Sequence, residues 1–192
     1  MAATTDMSER ILDVAQLLVQ TRGYNAFSYA DIAAAVGIRK ASVHYHFPGK
    51  GDLGRRLVER FRETCRAALA EIDRATADPR TRLERYTALF RATLDNDRMC
   101  LCGMLASEFA SLPEGVRDEV VAAFADHEAW LIGVLRAGQQ ARCFRADVPA
   151  EEQARTLMAG LEGATLLARL HGDTGRFQTA ARGLLAALEA GR

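Results

Sequence analysis

The stretch Phe27–Leu53 reads FSYADIAAAVGIRKASVHYHFPGKGDL, and its punctuation is that of two short helices. Ser28 followed three residues later by Asp31 resembles a capping box, in which each side chain satisfies the other residue's backbone N–H. Ile32, Ala33 and Val36 then share the inward side of a helix barely two turns long, and Gly37 stops it. Ile38 fills the turn. A second helix from Arg39 to Phe47 turns Val43 and Phe47 inward before Pro48-Gly49 ends it. Two short helices joined by a tight glycine-containing turn make a helix-turn-helix.

The chain on either side is helical as well. Upstream, Ile11, Val14, Ala15 and Leu18 keep the i, i+3, i+4, i+7 spacing of an amphipathic helix from Asp6 to Arg22, closed by Gly23. Downstream the spacing predicts long helices: Asp52 to about Ala77, interrupted at Asp78-Pro79, then Thr81–Leu94 and Met99–Ala110 around a break at Asp95–Arg98. Ser111-Leu112-Pro113-Glu114 reads as a capping box for a helix from Val116 to about Gln140. Asp147-Val148-Pro149 opens another, reaching Leu170, and His171-Gly172-Asp173 separates it from the last. With no strand pattern and no repeat, the fold class is all-α with about nine helices, a three-helix N-terminal domain (1–50) and a larger regulatory and dimerisation domain (51–192).

Composition narrows the function. The 192 residues are 49% hydrophobic and 26% charged, which excludes intrinsic disorder, and no apolar run is long enough to span a bilayer. Met1–Arg10 is polar, carries Asp6 and Glu9 and lacks the pattern of a secretory signal, so a cytoplasmic protein is expected. Cys65, Cys100, Cys102 and Cys143 are too few and too irregular for a disulfide framework. The 25 Lys+Arg balance 25 Asp+Glu, but not evenly along the chain. Between Ile38 and Arg66, eight basic residues stand against Asp52, Glu59 and Glu63, a net of +5, and the only two lysines, Lys40 and Lys50, fall inside this window. No P-loop, G-x-G-x-x-G, H-E-x-x-H or G-x-S-x-G occurs, and the four histidines are not set with carboxylates at ligand spacing. No catalytic role, cofactor or metal is expected.

The segment Phe27–Leu53 resembles the DNA-binding segment of the TetR family of bacterial transcriptional regulators. The resemblance rests on the capped helix at Ser28, the inward Ile32, the Ala33-to-Gly37 turn, the Ala41-Ser42-Val43 start of the second helix, the run His44-Tyr45-His46-Phe47, and Lys50 followed by an acidic residue and Leu53. It implies that Ser28, Tyr29, Ser42, Tyr45 and Lys50 hold phosphates. Arg39, Lys40 and His44 are the candidates for base edges in the major groove, and Ala41 lets the helix backbone approach closely. Two positions depart from the family pattern. Arg39 replaces a small hydroxyl residue that would cap the recognition helix, and Gly51 replaces a residue that is more often acidic.

One helix-turn-helix reads few base pairs, so a homodimer on a palindromic duplex is expected, with recognition helices about 34 to 36 Å apart. Leu157, Gly160, Leu161, Gly163, Ala164 and Leu167 on the penultimate helix, with Phe177, Ala181, Leu184 and Leu188 on the last, are the candidate dimer faces; the bland alternative gives one of these stripes to the protomer's own core. Tyr86, Phe90, Cys100, Met104, Phe124, His127, Trp130 and Met158 offer the adaptable apolar surface and polar handles of a small-molecule effector site, and equally the make-up of a core. Cys100 and Cys102 point about 200° apart on a helix and cannot share a metal. Cys100, beside Arg98 near a helix start, is either an electrophile- or oxidant-responsive thiol or an inert one. The expected function is a repressor released from its operator by a small-molecule inducer. The rivals are an all-helical small-molecule-binding protein or enzyme without specific DNA binding, and an architectural DNA-binding protein with a solid regulatory core.

Overall fold

A computed structural model of the chain describes residues 6–190. Residues 1–5, part of the stretch that argues against a secretory leader, lie outside them. Among the described residues there are nine α-helices: α1 (Met7–Arg22), α2 (Tyr29–Val36), α3 (Lys40–His46), α4 (Lys50–Ala75), α5 (Pro79–Asp95), α6 (Leu101–Ser107), α7 (Glu114–Gln140), α8 (Ala150–His171) and α9 (Thr174–Ala186), with a 3₁₀ turn at Phe109–Ser111. The only β pairing described is a single bridge between Phe144 and Glu189. The all-helical expectation holds.

The helix ends follow local chemistry. Asp6 caps α1 by accepting from the Ser8 N–H. The Ser28–Asp31 box is formed in both directions, and Gly37 closes α2 at φ 79°, a left-handed conformation open to glycine at no steric cost. Arg39 makes no side-chain cap to α3, as its chemistry requires. Asp78-Pro79 does more than interrupt: Asp78 accepts from the Thr81 N–H and Pro79 occupies the first turn, so the pair starts α5. Ser111 does not cap α7. Its N–H and Oγ both donate to the Glu108 carbonyl, and its Oγ accepts from the Asn25 amide; α7 begins at Glu114, before the expected Val116, without that cap.

The described residues form two compact units, one from 6–63 with 101–123 and the other from 64–100 with 124–190. The first holds α1, α2, α3, the N-terminal half of α4, α6 and the start of α7. Its core is Ile11, Leu12, Ile32, Val43, Leu53, Leu57, Leu101 and Val116. Arg60 binds α4 to α1 by reaching Glu9 at 2.9 Å, Asp13 at 2.8 Å and Gln16 at 3.1 Å. Asn25, in the loop before α2, gives both its N–H and its side-chain amide to the Glu108 carboxylate. The second unit packs α5, α8 and α9 with the remainders of α4 and α7 around Leu83, Tyr86, Leu131, Leu135, Leu161 and Phe177. No described helix is long and apolar enough to cross a membrane, and no described group of His, Cys, Asp and Glu could hold a metal ion.

Candidate nucleic-acid interface and regulatory core

In α3 the side chains divide cleanly. Val43 is fully buried and Phe47 nearly so, which pins the helix to α2, while Arg39, Lys40, Ala41, His44 and Tyr45 are exposed. Tyr45 is 84% exposed, the most open of the large hydrophobic side chains described. Residues 40, 41, 44 and 45 fall on one side of a helix, so a cation, a small residue, an imidazole and a phenol share one outward face. Ser42 lies half-buried at its edge.

Three of the residues expected at phosphates have work inside the fold. The Tyr29 ring is buried; its hydroxyl donates to the Phe47 carbonyl at 2.9 Å, and burial pushes its pKa up to about 12. The Ser28 hydroxyl donates to Asp31 and accepts from the Ala30 N–H. The Lys50 ammonium donates to the Phe27 carbonyl and lies 4.1 Å from the Phe27 ring centroid and 4.8 Å from that of Tyr24. Burial pulls its pKa below the ordinary lysine value. Tyr24 in turn donates to the Lys50 carbonyl at 2.7 Å. Tyr29 therefore ties α2 to the end of α3, and Lys50 ties the start of α4 to the chain entering α2.

In the second unit, Tyr86 is the hub. Its ring is fully buried, stacked on Trp130 at 5.4 Å, edge-on to Phe90 at 5.5 Å and tilted against His127 at 5.8 Å. Its hydroxyl meets His127 Nδ1 at 3.1 Å. Desolvation drives the Tyr86 pKa far up, and the same burial lowers that of His127, opposed by the nearby Asp126. Phe90 stacks on Phe177, which borders a groove of about 530 Å³ between α5 and α9 with Thr87, Ala88, Ala181 and Leu185. Cys100 joins this region through a hydrogen bond to Glu162, whose carboxyl is raised by burial. Sequence reasoning missed Glu162, although it is the only charge between Arg155 and Arg169. Phe124 and Met158 are half-buried in the same unit, whereas Met104 belongs to α6 of the other.

A pH prediction follows from His127. Its folded pKa lies below 6.5, so the unfolded chain takes up the proton more readily, and stability is lost as pH falls through the ordinary histidine range. His127→Asn, which retains a hydrogen-bonding partner for Tyr86 but does not titrate, should lose less melting temperature than the parent between about pH 7.5 and pH 5.5. An equal loss in thermal melts would place the acid sensitivity elsewhere.

The candidate dimer residues fall into two groups. Leu157, Leu161, Ala164, Phe177, Ala181 and Leu188 are buried within the protomer, and Leu184 is half-buried. Gly160 serves the same internal packing, since a Cβ there would sit 2.7 Å from Leu184. Gly163 and Leu167 face outward, and with them Leu166 and Leu170, which sequence reasoning left out: these leucines are 60% (Leu166), 54% (Leu167) and 73% (Leu170) exposed, while a Cβ at Gly163 would meet nothing. Periodicity gave a single broad stripe on α8 and could not tell which part of it α9 covers.

Comparison with known proteins fits both units. Residues 11–57 match the model for bacterial regulatory proteins of the tetR family, and residues 79–184 that for the tetracyclin repressor-like C-terminal domain. A TetR-family transcriptional regulator from Agrobacterium tumefaciens is 38% identical, with a TM-score of 0.92 over 95% of this chain and 97% of that one. A TetR regulator from Legionella pneumophila is 33% identical, with a TM-score of 0.89 over 98% of this chain and 100% of that one. The HTH-type transcriptional repressor DhaR of Mycobacterium sp. (strain GP1) is 28% identical over 168 residues, 85% of this chain and 83% of that protein.

Proposed function

The chain belongs to the TetR family of bacterial transcriptional regulators, DNA-binding proteins that act as homodimers, and we propose that it is a repressor released from a palindromic operator by a small molecule. The observation that carries this reading is the outward face of α3, where Arg39, Lys40, Ala41, His44 and Tyr45 stand exposed on a helix locked by Val43 and Phe47. Arg39 and Lys40 supply charge for phosphates and guanine edges, and Ala41 permits close approach. Residues 1–50 do the reading. Residues 51–192 pair the protomers and sense the effector, although α6 and the start of α7 pack with the reading helices. The pairing face is Gly163, Leu166, Leu167 and Leu170 of α8, an exposed apolar strip of the kind that marks a protein interface.

The effector acts on the packing around Tyr86, His127 and Trp130, reached from the groove between α5 and α9, whose volume suits a small ligand. One helix belongs to both units: α4 gives residues 50–63 to the first and 64–75 to the second, so repacking at its C-terminal half is carried covalently to the half held on α1. The Cys100 thiol is engaged by Glu162, which supports a noncovalent effector over thiol chemistry. The protein works in the cytoplasm and has no catalytic role of its own, in keeping with relatives that are transcriptional regulators. Linkage supplies the test. Compounds that raise the melting temperature of the free protein are titrated into its complex with operator DNA. Release of the DNA, retained in Cys100→Ser, is the expected result; tighter DNA binding would make the compound a corepressor and overturn the release mechanism.

A further inference from the structure

His44 is held at two points. Its ring packs against the edge of Tyr29, with centroids 4.6 Å apart and planes at 60°, and Tyr29 is itself fixed by its bond to the Phe47 carbonyl. Its Nδ1 lies 3.4 Å from the Pro48 carbonyl. A carbonyl only accepts, so Nδ1 carries the hydrogen, and in the neutral imidazole Nε2 is then a bare lone pair. No described residue bonds to Nε2, and His44 is exposed on the face that Lys40, Ala41 and Tyr45 share.

The geometry points to His44 as a specificity-determining residue that accepts a hydrogen bond from an exocyclic amino group in the major groove, the N4 amino of cytosine or the N6 amino of adenine. The inference rests on the operator reading proposed above and deepens it. In the major groove these two amino groups are the donors, whereas guanine and thymine offer acceptors at the corresponding edge. A phosphate offers no donor either, so an imidazole locked in this tautomer is mismatched to the backbone contact that a lysine or arginine would make. The Tyr29 contact and the Nδ1 hydrogen bond to the Pro48 carbonyl hold the ring in one orientation, so a single acceptor is presented at a single height in the groove.

The test uses the full-length dimer and the duplex it selects from a random library, at about pH 8, above the ordinary histidine range. Each adenine or cytosine of one half-site is replaced in turn by an analogue lacking the amino group, purine or 2-pyrimidinone. The expected result is one position per half-site where the analogue weakens the parent protein about fivefold, as the loss of one hydrogen bond predicts, and has no effect on His44→Phe, which keeps a ring against Tyr29. If no analogue weakens the parent, or if His44→Phe weakens every duplex equally, the acceptor role is overturned. The analogue series is read on the unmutated protein, so it stands even if His44→Phe does not fold. Failure to select any sequence would instead refute operator reading itself.

Discussion

Replacing Leu167 and Leu170 together by glutamate should yield a folded monomer that binds its operator at least about a hundredfold more weakly than the parent dimer. Both side chains are more than half exposed in the protomer, so two carboxylates there replace little internal packing. In the proposed pairing the same positions lie against their symmetry copies, and four like charges would be brought together out of water. Two linked half-site contacts exceed either one alone by about 10²- to 10⁴-fold, and a monomer forfeits that gain. Light scattering gives the mass and anisotropy the affinity. A variant that stays dimeric would move the interface off this strip of α8.

Lys50→Met should cost about 1 to 2 kcal/mol of stability, the loss of a charge-assisted hydrogen bond and cation–π contacts partly offset by the relief of burying an ammonium. For a chain of this size that is a fall of roughly 2 to 8 °C in melting temperature. Methionine keeps the apolar stem between Tyr24 and Phe27 and removes the group that ties the first turn of α4 to the chain entering α2. Because the ammonium is turned inward, the slope of log affinity against log salt should be unchanged. A stable variant whose slope falls by about one would return Lys50 to the phosphate role that the family resemblance implies.

These residues mark the border between what is legible in sequence and what is not. Helix starts and stops could be read from Ser28, Asp31, Gly37 and Pro79 because caps act over three or four residues. Val43 and Phe47 were recognisable as the inward side of α3 for the same local reason. What a polar side chain does was less legible. Lys50 and Tyr29 look like ligands of phosphate in sequence, but their partners, the carbonyls of Phe27 and Phe47, are 23 and 18 residues away. Ser111 shows the same failing: its hydroxyl serves Glu108 and Asn25, which no i, i+3 rule contains. On α8, the choice between the stripe of Leu157, Leu161 and Ala164 and that of Leu166, Leu167 and Leu170 depends on where α9 lies, and a hydropathy period carries no such information.

The exposed face of α3, presented twice by a dimer, should read a defined duplex. Selection from a random duplex library by the purified protein, followed by anisotropy titration of the selected duplex at several salt concentrations, tests it most directly. The expected result is a palindrome whose half-site centres lie about one helical turn or a multiple of it apart, bound with a steep salt dependence. Weak binding with no sequence enriched would contradict it.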